Sequence, residues 1–339
     1  MDLLRTLLFL PGNNAGMLQN GGVFGADAVI LDLEDAVSPP EKDAARTLVS
    51  HALRKVSYGN SHKTVRINPL DAGGEQDIAT IVPCEPDALM LPKIDNPKMI
   101  HDIVTLIKRA EKPGQKTVRI IPLLETPQSI IHAYDIAVAD SRVWAISFGA
   151  EDYTASLGAI RSSSGEEILS ARTTIINAAA AAGIDSIDTP FTDAQNEVGL
   201  ERDSLFARQL GFKGKLAINP RQIDIIHQAF SPTNADIQWA HRVVDALEQA
   251  KKQGTGVIAL DGKMIDAPIV LRAERTLALA AYLNLSQGET VWRIMSIASY
   301  PKRYLLLMHW CLTLVHSHEF LTCNVVHPKW NANAQGTKS

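Results

Sequence analysis

Eight short β-rich runs, spaced about thirty residues apart on average, constrain this chain more than any other feature of it. They are Thr6 to Leu10, Ala28 to Leu33, Thr64 to Ile67, Ala88 to Leu91, Thr117 to Leu124, Val143 to Phe148, Ile184 to Ile187 and Gly214 to Ile218. Between them lie stretches whose apolar residues recur at helical spacing, such as Glu41 to Lys55, Pro97 to Ala110, Gly165 to Ala182 and Asn196 to Leu210. This alternation is that of β-loop-α units, and eight of them over roughly 220 residues predict a (β/α)₈ barrel of the α/β class. An open doubly wound sheet fits less well, because its Gly-x-Gly-x-x-Gly fingerprint is absent. The barrel is assigned to residues 1–230, followed by a C-terminal helical extension over 231–285 and an atypical tail over 286–339.

Composition narrows the classes further. With 46% hydrophobic and 21% charged residues the chain can bury a core. Its 33 Lys and Arg against 37 Asp and Glu leave a net charge of −4, without the basic excess that nucleic-acid binding requires. Three cysteines, Cys84, Cys311 and Cys323, are too few and scattered for a disulfide framework, which fits a reducing compartment and makes the cytoplasm the expected location. The apolar start is interrupted by Arg5 and runs into Pro11-Gly12, unlike a signal peptide. Tyr304 to His316, the longest apolar run without a formal charge, is too short to span a bilayer, so no membrane is expected as a partner.

In a barrel of this kind chemistry gathers where strands end and βα loops begin. The residues there are unusually polar: Asp32, Glu34, Asp35, Arg66, Asn68, Lys93, Glu125, Glu151, Asp152, Asp188 and Asn219. Any one of them could be a cap or turn residue, but several carboxylates and two cations at one rim suit a hard cation and an anionic substrate. Glu125 and Asp152 end the fifth and sixth runs and match the form of a magnesium site, one or two carboxylates completed by water and substrate oxygens. Glu125 is thereby placed at the substrate as well as at the ion. Arg66 could hold a substrate carboxylate bidentately, or be ion-paired with Glu34 or Asp35. The backbone of Gly149, Ala150, Glu151 and Asp152 could supply N–H donors to the substrate. Lys93 raises a Schiff-base alternative, set against charge pairing at an acidic rim. No zinc-type Cys/His spacing occurs in the barrel, and no Gly-x-Ser-x-Gly elbow or P-loop is present.

At these residues the chain resembles the HpcH/HpaI aldolase and citrate lyase superfamily of metal-dependent barrels, and within it the citrate lyase beta subunits. The resemblance runs from about Arg5 to Leu285 and includes Leu8-Phe-Leu-Pro-Gly12, Asp32-Leu-Glu-Asp35, Arg66-Ile-Asn68, Leu91-Pro-Lys93, Glu125-Thr-Pro127, Gly149-Ala-Glu-Asp-Tyr153, Asp188-Thr, Ile218-Asn-Pro220 and Asp261-Gly-Lys-Met-Ile-Asp266. Asn219 stands where many acyl-CoA lyases of the superfamily carry His, which leans toward the citrate lyase complex. The resemblance implies a carbon–carbon lyase with Mg²⁺ as cofactor: retro-Claisen cleavage of a citryl thioester on an acyl carrier protein into oxaloacetate and an acetyl thioester. It implies catalytic roles for Arg66 and, as supports of the metal waters and Arg66, for Glu34 and Asp35. It implies that Asp266 reaches a neighbouring subunit's site as acid or base, with a helix N-cap as its alternative role. The partners implied are a citrate lyase alpha subunit and a gamma acyl carrier protein around a trimer of beta chains, with Lys42, Arg46 and Arg5 offered to the phosphopantetheine arm.

Two other functions stay open: a free-standing malyl-CoA or citramalyl-CoA lyase, and a non-catalytic assembly subunit. After about Leu285 the family pattern ends, and the tail, with Trp292, His309, Cys311, His316, His318, Cys323 and His327, reads as disordered or non-native rather than as a zinc site.

Overall fold

All eight expected strands form. In the computed structural model, which describes residues 2–253 and 258–285, they are β1 (Thr6–Pro11), β2 (Ala28–Asp32), β3 (His62–Arg66), β4 (Ala88–Leu91), β5 (Arg119–Leu124), β6 (Ala145–Phe148), β7 (Asp185–Asp188) and β8 (Gly214–Ala217). They pair in parallel, in chain order, into a closed barrel. The helices of the βα units are α1 (Ala15–Asn20), α2 (Lys42–Lys55), α3 (Gly74–Ile81), α4 (Pro97–Ala110), α5 (Pro127–Ile131), α6 (Ala133–Ala137), α7 (Ala150–Leu157), α8 (Leu169–Ala182), α9 (Glu197–Leu210) and α10 (Gln222–Phe230).

Both faces of each strand are buried, so the strands read as apolar runs rather than as alternating patterns. One parity, including Leu7, Ala28, Ile30, Ala88, Met90, Ile121 and Leu216, fills the barrel interior. The other, including Leu8, Val29, Leu31, Val65, Leu89 and Ile120, packs with the helices. Helix α4 shows why the sequence folds this way locally: Asn96 accepts a hydrogen bond from the Met99 amide (3.2 Å), Pro97 follows at the first position, and Ile100, Ile103, Val104 and Ile107 bury one face.

The ring closes where β1 meets β8, with Thr6 opposite Lys215, Leu7 opposite Leu216 and Leu8 opposite Ala217. Gly214 lies so close to the Leu4 carbonyl that a Cβ there would overlap it. Below this seam, at the N-terminal end of the strands, Arg5 is buried; it donates to Asp27 (2.8 and 2.9 Å) and Ser231 (3.0 Å). That end is opposite the rim, so Arg5 is a closing group of the barrel floor, not a receiver for an incoming arm.

Beyond the barrel come α11 (Asn234–Gln253), the antiparallel pair β9 (Ile258–Leu260) and β10 (Lys263–Ile265), and α12 (Ala267–Tyr282). Asp261 and Gly262 turn the hairpin with positive φ (51° and 72°), as a two-residue loop demands. Ala240, Val243, Ile265 and Ala273 form the small apolar cluster that ties these elements together. The described residues up to Leu279 make one compact unit. Among the described residues no helix is long and apolar enough to cross a membrane. The tail expected over 286–339 lies outside the described residues.

Candidate active site

Strand parity decides which rim residues face the barrel mouth. Asp32 shares the parity of Ala28 and Ile30 and stands in register with Arg66 on the next strand. Arg66 Nε donates to Asp32 Oδ1 (2.7 Å) and Nη2 to Asp32 Oδ2 (2.6 Å). Its Nη1 reaches Glu34 Oε2 (2.9 Å) and Asp35 Oδ2 (3.1 Å), and the guanidinium lies 4.8 Å from the centre of the Phe9 ring. Asp32 also accepts the amides of Glu34 (2.9 Å) and Ala36 (3.2 Å), which fixes the loop carrying the other two acids. Burial alone would lower the Arg66 pKa; the hydrogen bond and charge of Asp32, with Glu34 and Asp35, raise it instead. Of the neighbouring acids, burial and the adjacent Asp35 push Glu34 up to about 7, while Asp35, also partly buried, is held low by Glu34 and Arg66.

Beside this clamp a cavity of about 250 Å³ is lined by Lys93, Glu125, Thr126, Asp152, Ala155 and Ser156. Glu125 is buried, and its Oε1 accepts the Lys93 amide (2.7 Å). Burial pushes Glu125 up to about 8, and the negative charge of Asp152 adds to the effect. Asp152 occupies the first turn of α7, directly after Gly149. Among the described residues no group of three or more His, Cys, Asp or Glu could hold a metal ion. Glu125 and Asp152 place two hard-oxygen carboxylates on one cavity wall, and the unfavourable charge of Glu125 is what a divalent cation would relieve. The donor set fits Mg²⁺.

Gly149 is required here. A Cβ at this position would sit 2.7 Å from Glu125 Cβ and 2.8 Å from Glu125 Oε2. Gly149→Ala is expected to push the carboxylate aside and weaken magnesium binding about 10- to 100-fold, with the fold retained, measured by calorimetric titration of the ion.

The backbone donors expected over 149–152 are half committed already. The Gly149 amide donates to the Leu124 carbonyl (3.0 Å) and the Ala150 amide to Thr189 Oγ1 (3.1 Å). This leaves the amides of Glu151 and Asp152, in the first turn of α7, as those that a substrate could approach. The Glu151 side chain instead pairs with Arg161 (3.0 Å). Lys93 does not have the character of a Schiff-base lysine: burial would lower its pKa, but Glu34, Asp35, Glu125 and Asp152 raise it. Lys42 donates to the carbonyls of Leu33 (2.8 Å) and Glu34 (2.6 Å), and Arg46 pairs with Asp43 and Asp77 (both 2.6 Å), so both brace the rim from below.

Asp266 is exposed and stands at the start of α12, where its Oδ1 accepts the Ile269 amide (3.2 Å). That is the N-cap role. Asp188 has the opposite parity to Asp32 and faces outward, onto Lys215 and Arg172. Asp32, to which the sequence assigns no role, is the chief partner of Arg66, through a strand register that no local pattern encodes.

A family profile described as HpcH/HpaI aldolase/citrate lyase matches residues 5–220. The citrate lyase subunit beta of Leuconostoc mesenteroides subsp. cremoris is 43% identical over 291 residues, covering 85% of this chain and 96% of that protein. The mitochondrial citramalyl-CoA lyase of Rattus norvegicus is 32% identical over 294 residues, 83% of this chain and 87% of the other. Among solved structures, protein CitE from Mycobacterium tuberculosis in complex with magnesium, acetoacetate and coenzyme A is 28% identical, covers 82% of this chain and 98% of its own, and superposes with a TM-score of 0.68. A closed parallel barrel, two hard-oxygen carboxylates at its mouth and sequence identity across nearly the whole of these relatives lead to one assignment: the chain belongs to the HpcH/HpaI aldolase/citrate lyase family.

Proposed function

We propose that this chain is the carbon–carbon lyase that splits a citryl thioester on an acyl carrier protein into oxaloacetate and an acetyl thioester, with Mg²⁺ as its ion. The observation that carries the reading is the pair Glu125 and Asp152 on one cavity wall beside Arg66, in a chain 43% identical to a citrate lyase subunit beta. The rat citramalyl-CoA lyase, at 32%, supports the CoA-thioester alternative more weakly.

In the retro-Claisen step a base takes the proton of the tertiary hydroxyl, the C–C bond breaks with its electrons moving to the thioester α-carbon, and the same group in its protonated form returns that proton to the enolate carbon. A magnesium ion held by Glu125 and Asp152 would favour the substrate alkoxide and orient the adjacent carboxylate. Arg66 has one Nη2 proton outside its contacts with Asp32, Glu34 and Asp35, and it offers that proton to a substrate carboxylate or to the thioester oxygen as negative charge develops. Asp32, Glu34 and Asp35 keep the guanidinium pointed at the mouth. The Glu151 and Asp152 amides donate to substrate oxygen. Asp266 of a neighbouring copy is that base and acid, taking the hydroxyl proton and returning it to the α-carbon, which makes an oligomer, in our reading a trimer of beta chains, necessary for turnover. Residues 1–230 are the catalytic barrel and 231–285 the extension that delivers Asp266. The relatives' designation as a subunit supports assembly with an alpha subunit and a gamma acyl carrier protein.

The test is to give the purified full-length chain a citryl thioester with magnesium, then with chelator, and to follow oxaloacetate. Release with the ion and a loss of about 10³-fold or more without it are expected. A folded chain that releases nothing, yet cleaves citramalyl-CoA, would move the assignment to the alternative.

A further inference from the structure

Among the described residues Lys93 is the single cation on the cavity wall, and unlike Arg66 it is held by no short ion pair. Its ammonium stands 3.5 Å from Glu34 Oε1, and half of the side chain is exposed (49%), whereas Arg66 meets three carboxylates at 2.6 to 3.1 Å. Arg161, the next cation along this side of the rim, is committed to Glu151 and Glu167. Lys93 also holds a backbone conformation that residues with a Cβ seldom adopt, φ = 53°. Glu85, Asp261 and Asn284, the other such residues among those described, lie at turns or helix ends, whereas Lys93 follows β4 at the barrel mouth. In that conformation one residue serves the cavity twice: its amide fixes Glu125, and its ammonium stands within the field of Glu34, Asp35, Glu125 and Asp152.

We infer that Lys93 sets substrate selectivity, its ammonium receiving the carboxylate that distinguishes a citryl from a citramalyl thioester. The inference rests on the lyase reading above and deepens it. The two substrates differ by one carboxylate, carried away on the 2-oxo acid product: oxaloacetate has it and pyruvate has a methyl group. The carboxylate common to both lies next to the reacting carbon, with the ion and Arg66. The second one needs its own cation in a cavity whose other charged walls, Glu125 and Asp152, are acidic. A flexible four-carbon ammonium with its nearest acid at 3.5 Å can turn toward it without breaking a tight pair.

Product binding tests this independently of turnover. With magnesium present, oxaloacetate and pyruvate are titrated calorimetrically into the full-length wild type, Lys93→Gln and Lys93→Arg, with thermal unfolding confirming that each variant is folded. The expected result is that Lys93→Gln weakens oxaloacetate about 10- to 100-fold, leaves pyruvate within about twofold, and that Lys93→Arg restores most of the loss. The ratio of kcat/KM for citryl over citramalyl thioester should fall by a similar factor. Equal weakening of both acids, or of neither, overturns the inference and reduces Lys93 to a prop for Glu125. So does a wild type that does not prefer oxaloacetate. A wild type that cleaves neither thioester overturns the lyase reading instead, and the binding ratio still decides the role of Lys93.

Discussion

Replacing Glu125 by glutamine is expected to lower turnover about 10³-fold at saturating substrate and magnesium, and at the same time to stabilise the metal-free protein above neutral pH. The two effects share one cause. The Glu125 carboxyl is buried and its pKa is raised from 4.5 to about 8, so the folded chain binds a proton there that the unfolded chain releases. That contribution to stability is complete below about pH 4.5 and is lost as pH rises through about 8, amounting to about 5 kcal/mol. Glu34, raised to about 7, acts in the same direction, and its charge adds to the rise at Glu125. Thermal unfolding without metal should show wild type losing ground to Glu125→Gln between about pH 4.5 and 8. Added magnesium should reverse the order, because it replaces the missing proton in wild type and finds a poorer site in the variant. A variant whose melting temperature rose with magnesium as much as that of wild type would remove Glu125 from the metal site.

The largest loss of stability is expected from Asp188→Ala, about 3–5 kcal/mol by urea unfolding, with magnesium affinity and turnover per folded molecule preserved. Asp188 receives Lys215 Nζ (2.6 Å) and both Nε and Nη2 of Arg172 (3.0 and 2.9 Å), and all three side chains are almost wholly buried between β7, β8 and α8. Asp203, from α9, touches both cations (2.8 and 2.6 Å) and is the more exposed acid, at 22%. Without Asp188 two buried cations share that one acid, and their desolvation is no longer offset. The double substitution Asp188→Leu with Lys215→Met should recover part of the loss, since apolar groups of similar volume remove the unpaired charge as well as the pair. If the single variant also abolished magnesium binding, the network would have to reach the mouth of the barrel.

These two residues also show what was legible in the sequence. Both Asp32 and Asp188 end a strand, and both stand in register with a cation on the next one, Arg66 and Lys215. Position at the rim is written in the chain; facing inward or outward depends on strand parity within the closed barrel, which a buried parallel strand, apolar on both faces, does not display. Glu125, Asp152 and Arg66 could be picked out because acids and an arginine at the ends of apolar runs need a reason to be there. Gly149 was read as an amide donor and proved instead to be a spacer against Glu125, a distance between strands that no local pattern encodes. Strand boundaries slipped for a similar reason. β3 begins at His62, before the β-branched run, because the His62 amide finds the Asp27 carbonyl (2.9 Å). The sixth run was expected from Val143, but that residue makes a single bridge to Ile120 and the ladder proper starts at Ala145.

The seam between β1 and β8 also sets the order of events on a ribosome. Every other strand pair joins neighbours in the chain, so seven of the eight contacts can form as the polypeptide emerges. The eighth joins Thr6 to Lys215, and the nascent chain must carry β1 as an open edge until β8 has been made. Through that interval Leu7, Leu8 and Leu10 present an apolar strand with unpaired amides, the kind of surface that recruits chaperones or another unfinished chain. A ribosome stalled before Ala217 would release a product unable to bury that edge, so synthesis rate over β8 should govern the soluble yield of this protein more than synthesis rate anywhere earlier.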